Sequence, residues 1–310
     1  MHIANLAQPG VISDPTTFAH YLTFMLRKGE PAGADGLSEE LGAIFGIEKS
    51  IRQKDTAGGL TVSIGVSASA WQRVFPGTPA PRELHPFKAM ENGPRRFPKT
   101  PGDLFIMIKS DRMDLNFQAA RYIAAILDPV AELTEEVQGF RYLDNRDMIN
   151  FVDGTENPVA SERIKAVLVQ EDIEIHRGGS YLTVQRYVEN LNSWEKEAIE
   201  YQEKVIGRSK LDNVEQADDV KPPWAHTAKS KVEIDGEEVK MFRQNRPWGN
   251  VREHGTMFIG FAASPSVIET SLTQMITPDS DGNYDRLLDF AFAQTGCLFF
   301  MPSRILLEQL

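Results

Sequence analysis

The stretch Asn150-Phe151-Val152-Asp153-Gly154-Thr155-Glu156-Asn157-Pro158 carries more information than any other part of this chain. An apolar pair, Phe151-Val152, runs into an acid, and a glycine follows at once. Asp-Gly permits a sharp turn with φ > 0, and Asn157-Pro158 supplies a second turn signal. One carboxylate, Asp153, is thus delivered from a buried approach into a tight loop, which is a way to hold a catalytic acid or base. Read alone, the segment is equally a surface turn, and the rest of the chain has to decide.

Outward from this segment the chain reads as two similar halves. In the first, Leu60–Val66 alternates as a strand, a Pro-rich loop runs from Phe75 to Pro101, and Asp103–Lys109 reads as a strand buried on both faces. Apolar residues at helical spacing then run from Asn116 to Leu127. In the second half, Ser180–Tyr187 is an alternating strand. Ser193–Gly207 is a charged helical stretch with Ser193 as its N-cap. Thr256–Ala262 is a strand and Pro265–Met275 a helix, while Val232–Met241 is a hairpin turning at Asp235-Gly236. The pattern is α+β, with two related subdomains, 1–150 and 151–310, and a boundary somewhere between Leu143 and Val167.

Composition removes several function classes. In 310 residues, 41% are hydrophobic and 25% charged, as in globular proteins. A net charge of −11 with no basic block argues against nucleic acid as partner. The single cysteine, Cys297, excludes an internal disulfide and any cysteine-built metal cluster; next to Leu298-Phe299-Phe300 it reads as a buried structural thiol. Met1–Pro15 lacks the basic and apolar regions of a leader, and no run approaches a membrane span, so a cytoplasmic location is expected.

No pair among the histidines has the spacing of a zinc enzyme. A haem iron needs only one protein ligand, and His226, after Pro222-Pro223-Trp224-Ala225 at the start of a strand-like run, could be that ligand or simply a loop histidine. Arg243, at the end of the strand Val239–Phe242, is either a surface ion-pair partner or a guanidinium beside an apolar cavity.

Taken in order, Phe-Val-Asp-Gly-Thr-Glu-Asn-Pro (151–158), Ile-Gly-Arg-Ser-Lys (206–210), His226, Arg243-Gln244-Asn245, Gly-Thr-Met-Phe-Ile-Gly-Phe (255–261) and Tyr-Asp-Arg-Leu-Leu-Asp-Phe (284–290) resemble a dye-decolourising haem peroxidase of the compact bacterial type. The resemblance runs from about Gln8 to Pro302. It implies two tandem ferredoxin-like subdomains with antiparallel sheets and one haem b in the C-terminal half. It also implies His226 as proximal iron ligand, Asp153 as distal proton shuttle, and Arg243 with Asn245 beside it. Gly154, Thr155 and Phe258 are expected to line the haem, Arg208 to meet a propionate, and Asp289, in preference to Asp285, to accept the second His226 N–H. The implied substrates are hydrogen peroxide and a phenolic or dye-like aromatic reductant, with Trp71, Trp194, Trp224 and Trp248 as candidate electron relays. A haem-handling protein with incidental peroxidase activity is the alternative; it needs His226 but not the Asp153–Arg243 pair. Homo-oligomers are expected from the pairing of ferredoxin-like edge strands.

Overall fold

The computed structural model describes residues 2–28 and 33–310. Among the described residues the central sheet has ten strands, four principal ones from each half and two short ones from the second, Phe242–Arg243 and Ala291–Ala293. In the first they are β1 (Phe18–Leu26), β2 (Thr61–Ser67), β3 (Leu104–Ser110) and β4 (Ala131–Phe140), with helices α1 (Gly33–Arg52) and α2 (Met113–Leu127) between them. In the second they are β5 (Ser180–Glu189), β6 (Arg246–Gly249), β7 (His254–Ala262) and β8 (Cys297–Met301), with α3 (Pro265–Ile276) after β7.

The antiparallel order is β4-β1-β3-β2 in one half and β6-β7-β5-β8 in the other, the ferredoxin-like arrangement in both. The two sheets do not stack face to face. Pairing of β2 with β8 and of β4 with β6 closes them into one ring. Both seams are short: Val66 and Ser67 pair with Phe300 and Phe299 at one, and Gly139 with Trp248 at the other. At the second seam a Cβ on Gly139 would lie 2.6 Å from the Arg246 Cβ, so only glycine allows the strands to meet there. Gln8 braces the first seam, donating from Nε2 to the carbonyls of Ile64 and Pro302 at 2.8 and 3.0 Å.

Closure pairs the outer edges of the two four-stranded sheets with each other. It also sorts the side chains. Tyr21, Phe105, Met107, Leu182, Ile259 and Phe299 fill the interior, where Phe105 and Phe299 stack across the halves at 5.4 Å. Their neighbours Leu22, Ile106, Ile108 and Phe300 face outward against the helices.

The strands β1, β4 and β8 and the helix α1 were not legible from local pattern. Phe18–Leu26 is buried on both faces, including its polar His20 and Thr23, which alternation cannot reveal, and β4 is acidic on its exposed face. The charged helix expected over Ser193–Gly207 is two pieces, Leu191–Trp194 and Ile199–Ile206. Asn190 caps the first piece through Ser193 N, so Ser193 is inside it and is not its cap. The hairpin forms around Asp235 and Gly236, both at positive φ.

Candidate active site

In the first half two long helices cover the outer face of the sheet. The corresponding connection in the second half, from Glu189 to Arg246, makes only short helices, and a cavity of about 690 Å³ opens on that face. Its walls come from β5 (Tyr187, Glu189), β7 (Thr256, Phe258), α3 (Ile268, Leu272, Met275), the Asp153 loop and the segment beginning at His226. It falls within the usual range for small-molecule and cofactor clefts, about 300–1,000 Å³, and polar and charged side chains line it alongside the apolar ones.

The Asp153 loop is held at both ends. Asp153 N donates to Asn145 O at 3.1 Å, and Asn145 Nδ2 donates to Asp153 O at 3.0 Å. Gly154 follows at φ +83°, the left-handed turn the Asp-Gly pair requires. Asn157, at the end of the loop, then clamps the backbone of Arg243: Nδ2 donates to Arg243 O at 2.8 Å, and Arg243 N donates to Oδ1 at 2.9 Å. Through this clamp the Arg243 guanidinium comes to 3.9 Å from Asp153 Oδ1, both partly buried at the cavity wall. Asn245 Oδ1 accepts from Ile259 N at 3.0 Å, which fixes the amide while its Nδ2 keeps no protein partner among the described residues.

His226 begins a short helix, His226–Ser230, and not a strand: Ala225 is extended after the proline pair, and the helix turns from there. Its Nδ1 lies 2.7 Å from Asp285 Oδ2. Asp285 is fully buried, and its other oxygen accepts from Leu287 N at 3.0 Å. The expected partner, Asp289, is instead engaged by Arg95 at 3.1 Å and by the Tyr284 hydroxyl at 2.9 Å, outside the His226 pair. Both acids lie in Tyr-Asp-Arg-Leu-Leu-Asp; the tight turn over Arg286–Asp289 separates their directions, and only the fold selects the first. With Nδ1 bound to a carboxylate, Nε2 is the ring nitrogen left to the cavity.

Phe258 lines the cavity as expected, and so does Thr155, whose hydroxyl accepts from Asn213 Nδ2 at 2.8 Å. Arg208 also lines it, but its guanidinium is already committed to Asn213, Glu156 and Glu215 at 3.0–3.1 Å. Of the tryptophans, Trp71 and Trp194 are fully buried packing groups, and Trp248 donates to Tyr187 O at 3.0 Å. Trp224 is two residues before His226 and 6.0 Å from the Tyr201 ring. Cys297 is buried, and burial pushes its thiol up to about 11, as suits a structural group.

Two further acids at the cavity escaped the sequence reading. Glu189 accepts from the Thr256 hydroxyl at 2.7 Å through one oxygen, while the other has no partner. Burial, reinforced by the charge of Asp153, pushes Glu189 up to about 7. Asp147 is raised well above the usual carboxylate range by burial and then by Glu189. The alternation of Ser180–Tyr187, continued for two residues, would have put Glu189 on the face of Tyr187.

Tandem ferredoxin-like halves, with a histidine–carboxylate pair and an acid–arginine pair on one cavity, delimit a class of enzyme, and the comparisons give its family. The Dyp-type peroxidase N-terminal family model matches residues 8–141 and the C-terminal one residues 144–305. The chain belongs to the Dyp-type peroxidase family. A dye-decolorizing peroxidase of Rhodococcus erythropolis is 40% identical over 311 residues, covering 99% of this chain and 90% of that one. One from Mycobacterium tuberculosis is 42% identical over 278 residues, 87% of this chain and 82% of its own length. A DypB variant of Rhodococcus jostii RHA1, solved in complex with heme, is 38% identical with a TM-score of 0.94 over 99% of both chains. No helix among the described residues is long and apolar enough to cross a membrane.

Proposed function

We propose that this chain is a haem b peroxidase that reduces hydrogen peroxide and oxidises small aromatic reductants, phenols or dyes, with the cofactor in the 690 Å³ cavity. The observation that carries the reading is the His226 Nδ1–Asp285 contact of 2.7 Å on the same cavity as Asp153 and Arg243. A buried carboxylate makes the imidazole a stronger donor through Nε2, which is what a single axial ligand requires.

Bound haem supplies a redox-active iron that binds peroxide and stores oxidising equivalents. Everything else falls to the chain. Asp153 takes up the proton of incoming peroxide and returns it to the departing oxygen, directly or through one water. Arg243, a fixed cation in a pocket of low dielectric, stabilises the negative charge that develops there. Asn245 offers an amide N–H beside it, while Phe258, Leu272 and Met275 keep water from the apolar wall. Rim cations can receive the cofactor's carboxylates: Lys240 has no ion pair among the described residues, and Arg208 must exchange one of its acids for one. A cytoplasmic setting accords with the lone buried thiol.

The test is the visible spectrum of the full chain on adding haemin and then hydrogen peroxide. A histidine-ligated ferric Soret band that shifts with peroxide is expected. A band indifferent to peroxide would favour haem handling, and no specific binding would overturn both.

A further inference from the structure

Gln244 stands between Arg243 and Asn245 and faces the other way. Its neighbours line the cavity, whereas Gln244 is 2% exposed and its side chain enters the end of the strand ring. There Nε2 donates to the carbonyls of Gly10 and Val11, both at 3.0 Å, and Oε1 accepts from Lys109 Nζ. Lys109 lies on β3 in register with the inward Phe105 and Met107 and is likewise 2% exposed. It also donates to Ser13 Oγ at 3.1 Å and lies within reach of the Ser13 and Asp14 carbonyls at 3.4 and 3.3 Å. No carboxylate among the described residues pairs with it, and Asp14 is paired with Arg163 at 2.7 Å. Burial brings the lysine down to about 7, and the nearby Arg246 adds to the effect.

The same segment is gripped twice more. Arg246 Nε donates to Thr16 O at 2.8 Å and its NH1 to Asn245 O at 3.0 Å. Arg163 donates to Ile12 O at 3.0 Å and to Pro158 O, at the end of the Asp153 loop, at 3.1 Å. The segment runs from a short helix, Pro9–Ile12, into extended chain that is partly buried at the end of the ring, and its carbonyls need donors there. Here the donors come from the strand that carries the distal residues and from its surroundings. A buried lysine facing carbonyls and an amide, without a carboxylate in direct contact among the described residues, is an expensive arrangement for mere packing; an apolar side chain would fill the space.

We propose that Lys109 and Gln244 are positioning residues for the distal pair, and that the N-terminal segment Gly10–Thr16 is the abutment against which they set Arg243 and Asn245. The inference rests on the reading of Arg243 as the charge-stabilising group. Asn157 fixes the strand from the cavity side and Lys109–Gln244 from inside the ring, so the guanidinium has one approach to Asp153. A displacement of about 1 Å at such a group can lower the rate about 10²-fold.

The test uses Gln244→Leu and, should that variant not fold, Lys109→Gln, each alone and combined with Arg243→Leu in the full chain loaded with haem. Two readouts are needed: kcat/KM for peroxide, and backbone amide exchange over residues 242–246 in the full chain without haem. With Arg243 present, kcat/KM should fall about tenfold or more, at unchanged haem affinity, and exchange should quicken. With Leu at 243 the second substitution should cost less than about threefold, because no guanidinium remains to be placed. Gln244→Glu, which keeps an acceptor for Lys109 but loses both donations to the Gly10 and Val11 carbonyls, should also quicken exchange. An equal loss in both backgrounds, or no loss with unchanged exchange, overturns the proposal. If Arg243→Leu itself leaves the peroxide rate intact, the reading of Arg243 fails; amide exchange still decides whether Gln244 fixes the strand.

Discussion

Asp285→Asn isolates the charge behind His226. The amide keeps an oxygen to accept from Leu287 N, now at 3.0 Å, but turns an NH2 toward His226 Nδ1, now at 2.7 Å, so shape and cap persist while the negative charge and the acceptor for Nδ1–H both go. A hydrogen bond to a charged partner contributes about 1.5–3 kcal/mol, and loss of the carboxylate behind a metal-ligating histidine typically costs about 10–100-fold in affinity. Burial argues for the full effect, since Asp285 has no solvent to screen it. Haemin titration into the apoprotein, followed by the Soret band, should therefore show affinity about 10–100-fold weaker. The iron midpoint potential should rise, by about 59 mV for each tenfold loss of preference for the ferric form. Asp289→Asn is the control: it disturbs Arg95 and Tyr284 and should leave both quantities near wild type. Wild-type affinity and potential in Asp285→Asn, with a loss in Asp289→Asn, would refute the assignment.

Asp153→Asn should retain haem yet slow the reaction with peroxide about 10²–10⁴-fold in stopped-flow absorbance; an unchanged rate removes its role. Arg243→Leu should lower the same rate about 10²–10³-fold with little change in haem affinity, and parity with wild type would leave Asp153 acting alone. Because the folded-state value of Glu189 is raised to about 7, its contribution to stability is complete below the unfolded value near 4.5 and is lost as pH rises through about 7. That amounts to at most about 3 kcal/mol, so Glu189→Gln should flatten the fall in apoprotein Tm between pH 4 and 8; an identical slope would show that the carboxyl titrates alike in the folded and unfolded chain. Gly139→Ala forces a Cβ to 2.6 Å from the Arg246 Cβ and should destabilise by about 1–3 kcal/mol in urea unfolding, unless the seam can open freely.

What local pattern could show was the chemistry of short segments. The Asp153-Gly154 turn, the alternation of β2, β5 and β7 and the Asp235-Gly236 hairpin are properties of neighbours in the chain, and they form where the pattern placed them. The ordered motifs named Asp153, His226, Arg243, Asn245 and Phe258, and all five line one cavity. Three matters needed tertiary structure. Asp285 and Asp289 are chemically equal in the sequence, and a turn of backbone decides which one meets His226. Closure of the ring depends on strand pairs separated by more than a hundred residues, so no local periodicity encodes it. Glu189, Asp147 and Lys109 are ordinary ionisable residues until packing removes their water, and burial, a property of the assembled chain alone, moves each toward its neutral form.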